Sequence, residues 1–234
     1  MLHVILLDCA LELIPREISS LKQIQKHATR RGKKPSELLL DQTHHGQSMT
    51  KLSESERRGR PDITFLSLMS ILETPLCKEG FLNVYLHLQD GRTVNVRSDV
   101  RLPRNYDRFV GLMEQLLSTG RVPPKGDSLL HVTDRTLDKL ISDIKSELSI
   151  VAINGGQKTT IEGLTNLLPT DSSVPVIVGV GAFPHGFLSD SILELFEHKL
   201  AFDEEVMMSW HVCSEVLWTY SLSIGVVKSR YSAT

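Results

Sequence analysis

The order of apolar and polar positions along the chain predicts short strands that alternate with longer helices. Short apolar runs bounded by turn residues are typical of buried strands, whereas apolar residues repeated every three or four positions are typical of helices. Strands are expected at residues 3–7, 38–41, 129–132, 150–153 and 176–180, and helices at about 17–30, 63–72 and 206–222. The polar stretch at 43–59 has neither pattern and is expected to be a long surface loop. Strands alternating with helices favour an α/β fold with a mostly parallel sheet.

A β-hairpin is expected in the middle of the chain. Residues 82–88 and 92–97 each alternate apolar with polar side chains, and Asp90-Gly91 between them is the sequence of a tight turn. We therefore expect a hairpin extension, at about residues 80–100, inserted into the α/β fold. No internal repeat or low-complexity segment is evident, so the chain is expected to form a single domain over residues 1–234.

Composition narrows the classes of function. Of the 234 residues, 41% are hydrophobic and 23% are charged, which is the balance of a globular protein with a proper core. The formal net charge of -2 argues against a uniformly basic surface. A nucleic acid would therefore have to bind through a local cluster of positive charge.

Cysteine, histidine and the start of the chain exclude further classes. The three cysteines lie apart in apolar stretches, which favours core residues in a reducing cytoplasm over disulfides. The apolar start of the chain is too short to cross a bilayer and lacks the basic flank of a secretion signal, so no membrane contact is expected. His44-His45 has no partner at metal-ligand spacing, so no metal is expected either.

A strand that runs directly into a glycine-rich loop is the most informative local feature. The segment is Val178-Gly-Val-Gly-Ala-Phe-Pro-His-Gly186, in which the glycines either accept positive φ or leave room where a Cβ would clash. Ligands bind at the carboxyl ends of strands in open α/β sheets, so the loop predicts a ligand. Its spacing matches neither dinucleotide- nor phosphate-binding loops, which disfavours a nucleotide with a phosphate chain. A tight turn without a ligand is the alternative.

Three arginines form one candidate nucleic-acid contact. Arg101, Arg104 and Arg108 are spaced by three and four residues before the helical pattern at 109–116, and Pro103 is well placed in the first turn of that helix. On a helical wheel the arginines fall together at the edge of the apolar stripe. Clustered guanidinium groups at such an edge suit phosphate or base recognition.

A second basic group, Arg57-Arg-Gly-Arg-Pro-Asp62, precedes the predicted helix at 63–72. Asp62 can cap that helix, and it can also fix the guanidinium of Arg60 by hydrogen bonds. For both basic groups, an exposed surface without a ligand is the alternative, because charge runs are usually exposed faces.

Three motifs occur in a characteristic order: Arg60-Pro-Asp-Ile63, Arg101-Leu-Pro-Arg-Asn-Tyr-Asp-Arg-Phe109 with the helix that follows, and Val180-Gly-Ala-Phe-Pro-His-Gly186. Together they closely resemble the ribosomal RNA small-subunit pseudouridine N1-methyltransferases. This group is the nucleolar essential protein family of the SPOUT class. The resemblance spans nearly the whole chain, and the compact length is similar to that of archaeal members.

The resemblance implies both a fold and an activity. The implied fold is a SPOUT-type, mostly parallel sheet flanked by helices, with its C-terminal portion threaded into a trefoil knot. The implied protein is a cytoplasmic homodimer that binds S-adenosylmethionine at the knot. It methylates N1 of one pseudouridine in small-subunit rRNA during ribosome biogenesis.

The resemblance also places the cofactor in three loops. The matching residues are Gly156 after the strand at 150–153, Gly181 and Gly186 in the glycine-rich loop, and Leu200, Ala201, Phe202, Asp203, Glu204 and Glu205 before the last helix. The family commonly has a Tyr-Pro pair where this chain has Asp203-Glu204. Backbone groups would then do most of the binding there, and the added carboxylates could favour a sulfonium cation.

The family's RNA-contacting arginines match Arg60, Arg101, Arg104 and Arg108, and Asp62 is expected to hold Arg60. We expect Arg60 and Asp62 to be the catalytic pair, with Arg60 stabilising the anion that develops on the base. A carboxylate paired with an arginine is a poor general base, so the proton would leave to water. Two alternatives remain open: a non-catalytic RNA-binding ribosome assembly factor, which Asp203-Glu204 favours, and a SPOUT methyltransferase for another nucleoside.

Overall fold

The computed structural model describes residues 1–232, and its eight strands form one sheet. The strands are β1 (Leu2–Cys9), β2 (Leu82–Leu88), β3 (Thr93–Val96), β4 (Arg121–Val122), β5 (Leu130–Thr133), β6 (Leu148–Lys158), β7 (Val176–Gly181) and β8 (His198–Ala201). Their order is β4-β5-β3-β2-β1-β7-β6-β8. Neighbours from β2 to β8 in this order pair in parallel, and β3, β5 and β4 continue the sheet with antiparallel pairing. The predicted α/β fold with a mostly parallel sheet is confirmed.

Helices cover both faces of the sheet. They are α1 (Arg16–Ser19), α2 (Lys22–Arg31), α3 (Gln42–Met49), α4 (Pro61–Leu72), α5 (Pro75–Lys78), α6 (Tyr106–Thr119), α7 (Leu137–Ile144), α8 (Ile161–Leu167), α9 (Asp190–Leu193), α10 (Ser209–Ser223) and α11 (Val226–Ser232). Val4 and Leu6 of β1 enter a large core with α4, α6, α8 and α10. Ile5 and Leu7 enter a smaller core that α7 covers. Within residues 1–232, no helix has the length and apolar character needed to cross a membrane.

The region predicted as an inserted hairpin holds β2 and β3, which pair with each other antiparallel. However, β2 also pairs in parallel with β1, so both strands are built into the central sheet and do not extend beside it. In the structure, Val84 and Leu86 enter the large core, and Tyr85 packs half-buried against the core on the other face.

Two segments differ from the sequence-based expectation because polar contacts decide their structure. Residues 43–59, expected to be a loop, contain α3 and a short 3-10 turn. Asp41 caps α3 by accepting a hydrogen bond from the Thr43 amide at 2.8 Å, so this helix forms without an apolar stripe. Residues 38–41, expected to be a strand, make only an isolated bridge through Leu39. All four residues are buried.

Other helices and strands begin or end a few residues away from their predicted positions. The helix expected at 17–30 is divided at Ser20-Leu21 into α1 and α2, and the last long helix begins at Ser209 instead of 206. The predicted strands at 129–132 and 150–153 correspond to β5 and to the much longer β6.

All three cysteines are buried, as predicted for core residues. Burial raises the pKa of the Cys9 thiol to about 12, and it does the same for Cys213. Burial therefore favours the protonated thiols at neutral pH, as expected for core residues.

A buried carboxylate ties the N-terminal helices to α6. Glu114 is only 3% exposed. Its carboxylate accepts hydrogen bonds from Lys33 Nζ at 2.6 Å, from Arg31 Nη2 at 3.3 Å and from the Leu39 amide at 3.2 Å. A buried carboxylate is tolerated only when it is paired in this way.

We predict that Glu114→Gln lowers the free energy of unfolding by about 1–3 kcal/mol. The amide oxygen can still accept from Leu39, but the charge that pairs with Arg31 and Lys33 is lost. Denaturant unfolding measures the change. Asp99→Asn is the control, because its ion pair with Arg97 is exposed, and it should have a much smaller effect. An equal decrease in the free energy of unfolding for both variants would show that burial does not determine how much the Glu114 ion pairs stabilise the protein.

Candidate functional site

The carboxyl ends of the parallel strands meet at one edge of the sheet, and the candidate site lies along that edge. Asp8 lies near the end of β1 and His87 near the end of β2, while Gly181 ends β7 and Ala201 ends β8. Parallel pairing forces these ends together, and this is the edge at which open α/β sheets bind ligands.

Residues 153–156 form an irregular turn within β6 and interrupt its pairing with β8. Leu200 pairs first with Ala152 and then with Gln157, so the intervening residues leave the ladder. Gly155 has φ +79°, a conformation that favours glycine. A Cβ on Gly156 would lie 2.7 Å from the carbonyl oxygen of Lys199. Gly156 therefore lets the turn lie directly on the backbone of β8.

A cavity of about 690 Å³ lies beside this turn, between β8 and α8. Its walls include Leu200, Ala201, Phe202, Asp203 and Glu204, together with residues 157–160, Gly163, Leu167 and His198. Glu205, Gly156, Gly181 and Gly186 do not line this cavity. The volume is in the range of small-molecule sites.

The carboxylates of the loop after β8 are exposed. Glu204 accepts from Lys158 Nζ at 2.7 Å, and both residues line the cavity. The Asp203 carboxylate accepts from the Glu205 amide at 2.8 Å. Lys158 therefore offsets part of the negative charge that Asp203-Glu204 brings to this loop.

The glycine-rich loop is anchored at its start by backbone and side-chain hydrogen bonds. The Ala182 amide donates to the Leu7 carbonyl at 2.8 Å, which continues the pairing of β7 with β1. The Ser209 hydroxyl, at the start of α10, donates to the Gly181 carbonyl at 2.5 Å. The loop is thus held between the sheet and the last long helix.

Arg57 holds the far side of the same loop. Its Nη1 donates to the Phe187 carbonyl at 2.7 Å, and its guanidinium carbon lies 4.2 Å from the centre of the Phe183 ring. A Cβ on Gly186, which has φ +91°, would lie 2.7 Å from Nη1. Glycine at 186 therefore lets the guanidinium lie against the loop.

The other nitrogen of Arg57 connects the loop to the sheet. Nη2 donates to Asp8 Oδ2 at 3.1 Å, and the second oxygen of Asp8 lies 3.2 Å from Nδ1 of His87. Asp8 has φ +50°, which is uncommon for a residue other than glycine. The position of Arg57 thus depends on the ends of β1 and β2.

Each arginine of the segment 57–60 has its own carboxylate partner. Arg58 forms a two-point ion pair with Glu12, at 2.7 and 2.6 Å, and Arg60 forms one with Asp62, at 2.8 and 2.7 Å. The ion pair expected between Arg60 and Asp62 is present, and hydrogen bonding to Asp62 raises the pKa of Arg60. The segment is therefore an ordered set of ion pairs and not a solvated basic loop.

A second cavity, of about 430 Å³, is lined by Gln42, Thr43, Arg60, Asp62 and Tyr106. The Tyr106 hydroxyl donates to Asp41 Oδ2 at 2.7 Å, and Asp41 itself is only 5% exposed. Burial, followed by the hydrogen bond to Asp41, raises the pKa of Tyr106 above its usual value. The cavity therefore combines a fixed guanidinium, a carboxylate and a neutral phenol.

The arginine cluster is exposed, but it is not arranged as the sequence suggested. Helix α6 begins at Tyr106, because the side chain of Asn105 caps it by accepting from the Arg108 amide at 3.1 Å. Arg101 and Arg104 therefore lie in the segment before the helix, so the helical-wheel argument is wrong for them. Arg104 is 80% exposed and has a single ion pair with Glu73, at 3.5 Å. The charge of Arg104 is therefore largely available to a binding partner.

A family model matches almost the whole chain. The EMG1/NEP1 methyltransferase family matches residues 4–221. The chain belongs to the EMG1/NEP1 methyltransferase family. The family resemblance predicted from the three sequence motifs is thus confirmed.

Individual family members match over almost their whole length. The rRNA small-subunit methyltransferase Nep1 of Thermococcus sibiricus is 42% identical over 224 residues, which cover 96% of this chain and 99% of that one. The protein of the same name from Staphylothermus marinus is 40% identical over 217 residues, covering 92% and 93%. The crystal structure of Archaeoglobus fulgidus Nep1 bound to S-adenosylhomocysteine superposes with a TM-score of 0.84 at 32% identity, covering 95% and 98%.

For this EMG1/NEP1 family member, sequence reasoning missed Arg57, Asp8 and Tyr106. Arg57 stood in the basic run, but only the fold shows that it, and not its neighbours, reaches the glycine-rich loop. The positive φ of Asp8 has no sequence signal. Tyr106 lies inside the arginine motif, but a single tyrosine there has no sequence signal of a binding role. Among residues 1–232 no group of three or more potential metal ligands comes together.

We predict that Arg57→Ala loosens the glycine-rich loop. The loss of the hydrogen bond to Phe187 and of the Phe183 contact should speed amide exchange at residues 185–188 by roughly tenfold, about 1.4 kcal/mol of local stability. Hydrogen exchange read by mass spectrometry measures this.

Arg58→Ala is the matched control for Arg57→Ala. It removes a similarly buried ion pair, between Arg58 and Glu12, that is not formed with the loop. If both variants speed exchange in the loop to the same extent, Arg57 does not act through its direct contacts.

Proposed function

We propose that this protein transfers the methyl group of S-adenosylmethionine to N1 of a pseudouridine in small-subunit rRNA during ribosome biogenesis. The observation that carries the proposal is the match over 95% of the chain to a Nep1 crystallised with S-adenosylhomocysteine, the product that this donor leaves behind. Relatives that are 40% or more identical over most of the chain bear the name of rRNA small-subunit methyltransferases, which supports the substrate.

The donor is proposed to bind where β6, β7 and β8 end. The residues assigned to it are Gly156, Gly181, Gly186, Leu200, Ala201, Phe202, Asp203, Glu204 and Glu205. Their loops are adjacent, and the neighbouring cavity offers apolar walls from Leu167 and Leu200 beside carboxylates and threonine hydroxyls. These groups fit a donor that joins an adenine ring to a charged amino acid. The carboxylates of Asp203 and Glu204 also fit a sulfonium cation.

The bound donor would supply an electrophilic methyl group for an in-line displacement. The protein must then hold the base nitrogen in line with that group and exclude water, which is a positioning task. Arg57 fits this task, since it fixes the glycine-rich loop and belongs to the same short segment as Arg60. The donor loop and the base cavity are thus connected through residues 57–60.

Arg60 and Asp62 are the proposed catalytic residues. The cavity that they line places a permanent positive charge beside the space for a base. When N1 loses its proton, negative charge spreads to the ring carbonyls, and a fixed guanidinium stabilises it. Asp62 orients Arg60 through two hydrogen bonds and is not proposed to be a general base.

Arg101, Arg104 and Arg108 are proposed to bind the RNA together with Arg60. The three are exposed and adjoin Tyr106 at the start of α6, so a strand that they hold would pass the base cavity. The net charge of -2 is compatible with this, because the positive charge is local.

The active protein is proposed to be a cytoplasmic homodimer with a C-terminal trefoil knot. Trp218 and Leu222 of α10 are 48% and 59% exposed, and Leu66 of the adjacent α4 is 39% exposed. An apolar surface of this kind supports burial against a second copy. Family membership and the order β1-β7-β6-β8 support the knot, and the free cysteines support a reducing compartment.

We predict methyl transfer to a short small-subunit rRNA hairpin with pseudouridine at the target, and none to the same hairpin with uridine. Uridine lacks the N1–H, because N1 forms its glycosidic bond. Incorporation of labelled methyl from S-adenosylmethionine measures the reaction. Label in both hairpins would contradict the pseudouridine specificity. Label in neither, with tight hairpin binding, would favour a non-catalytic assembly factor.

We predict that Arg60→Ala lowers kcat by about 100-fold, because it removes the charge that stabilises the developing anion. Asp62→Asn should cost only about tenfold, because the amide oxygen still accepts one hydrogen bond from Arg60. Single-turnover rates with pseudouridine RNA measure both. Complete loss of turnover in Asp62→Asn, with the affinity for RNA and donor intact, would instead indicate a general base.

A further inference from the structure

The phenol of Tyr106 has a fixed hydrogen-bonding role in the base cavity. Its only hydrogen is donated to Asp41 Oδ2 at 2.7 Å. Asp41 is held in turn, since its other oxygen accepts from the Thr43 amide at 2.8 Å and its own amide donates to Nδ1 of His45 at 3.0 Å. The phenol oxygen can therefore only accept a hydrogen bond from a ligand.

The ring of Tyr106 is packed so that this oxygen cannot move freely. Its centre lies 5.7 Å from that of Phe65 and 6.5 Å from that of Phe109, which is fully buried. The raised pKa of Tyr106 keeps the phenol protonated at neutral pH, so the hydroxyl goes on donating its hydrogen to Asp41. The acceptor is thus preorganised before any ligand binds.

Hydrogen-bond donors line the same cavity. Asp62 occupies Nε and Nη2 of Arg60, and within residues 1–232 Nη1 of that guanidinium has no partner. Gln42 and Thr43, whose side chains can both donate hydrogen bonds, also line the cavity. Tyr106 is therefore a neutral acceptor that cannot donate, and it shares the cavity with donors from Arg60, Gln42 and Thr43.

This set is complementary to the edge of a uracil-type ring, in which an N3–H lies between two carbonyl oxygens. The N1 edge of pseudouridine must face the methyl donor, so N3–H is the donor that remains for recognition. We infer that Tyr106 accepts the N3–H of the target base and that Asp41 is the positioning residue that makes Tyr106 an acceptor. The inference rests on the proposed function and adds a specificity determinant to it.

The test compares two hairpins that carry pseudouridine or N3-methylpseudouridine at the target. The second lacks the N3–H but keeps N1–H. The wild-type protein should favour the first by at least tenfold in kcat/KM, mainly through KM, and should show the same preference in Kd. Tyr106→Phe should lose about tenfold on the first hairpin and little on the second, so that the preference largely disappears.

Two further variants separate recognition from folding. Asp41→Asn keeps a good helix cap, but its amide can donate to the phenol oxygen and free the hydroxyl to donate into the cavity. It should therefore reduce the preference as Tyr106→Phe does. Tyr85→Phe removes a phenol that lies near His3, outside this cavity, and should leave the preference unchanged.

The outcomes distinguish the inference from the proposed function. If the wild-type protein does not methylate the pseudouridine hairpin, the proposed function fails, and the Kd values still test Tyr106. If methylation occurs but Tyr106→Phe keeps the full preference, or loses the same factor on both hairpins, the inference is overturned.

Discussion

Parallel pairing around β1 is the constraint on which the rest of the structure depends. Because β2, β7, β6 and β8 all run in the direction of β1, their carboxyl ends come to one edge. Loops from distant parts of the chain meet there, including the ends of β1 and β2, which carry Asp8 and His87. The pairing is possible because β1 is buried on both faces and is apolar at almost every position.

The arginines divide into two groups with different physical roles. Arg57, Arg58 and Arg60 each pair with a carboxylate in partly buried surroundings, so they form fixed parts of the structure. Arg101, Arg104 and Arg108 are exposed at the start of α6 and remain available to a polyanion. A near-neutral protein can bind RNA in this way, because its fixed charges orient the site while the free charges supply the attraction.

Arg57 connects the glycine-rich loop to the central sheet. The guanidinium contacts the glycine-rich loop on one side and Asp8 on the other. Two residues further on, Gly59 turns the chain with φ +63°, and its carbonyl accepts from the Gln42 amide at 2.9 Å. Arg60 then faces the base cavity. One short segment therefore holds both the loop assigned to the donor and the cavity assigned to the base.

The sequence by itself determined the α/β class, most of the strands, the family and the ion pair between Arg60 and Asp62. These depend on local periodicity, on ordered motifs or on residues two positions apart. Only the tertiary structure decided that β2 joins the central sheet, that Asn105 delays the start of α6, and that Arg57 reaches the glycine-rich loop. The same holds for Asp41, which orients Tyr106 from 65 positions away. Such contacts join residues distant in sequence, and local patterns carry no information about which polar partners folding brings within hydrogen-bonding distance.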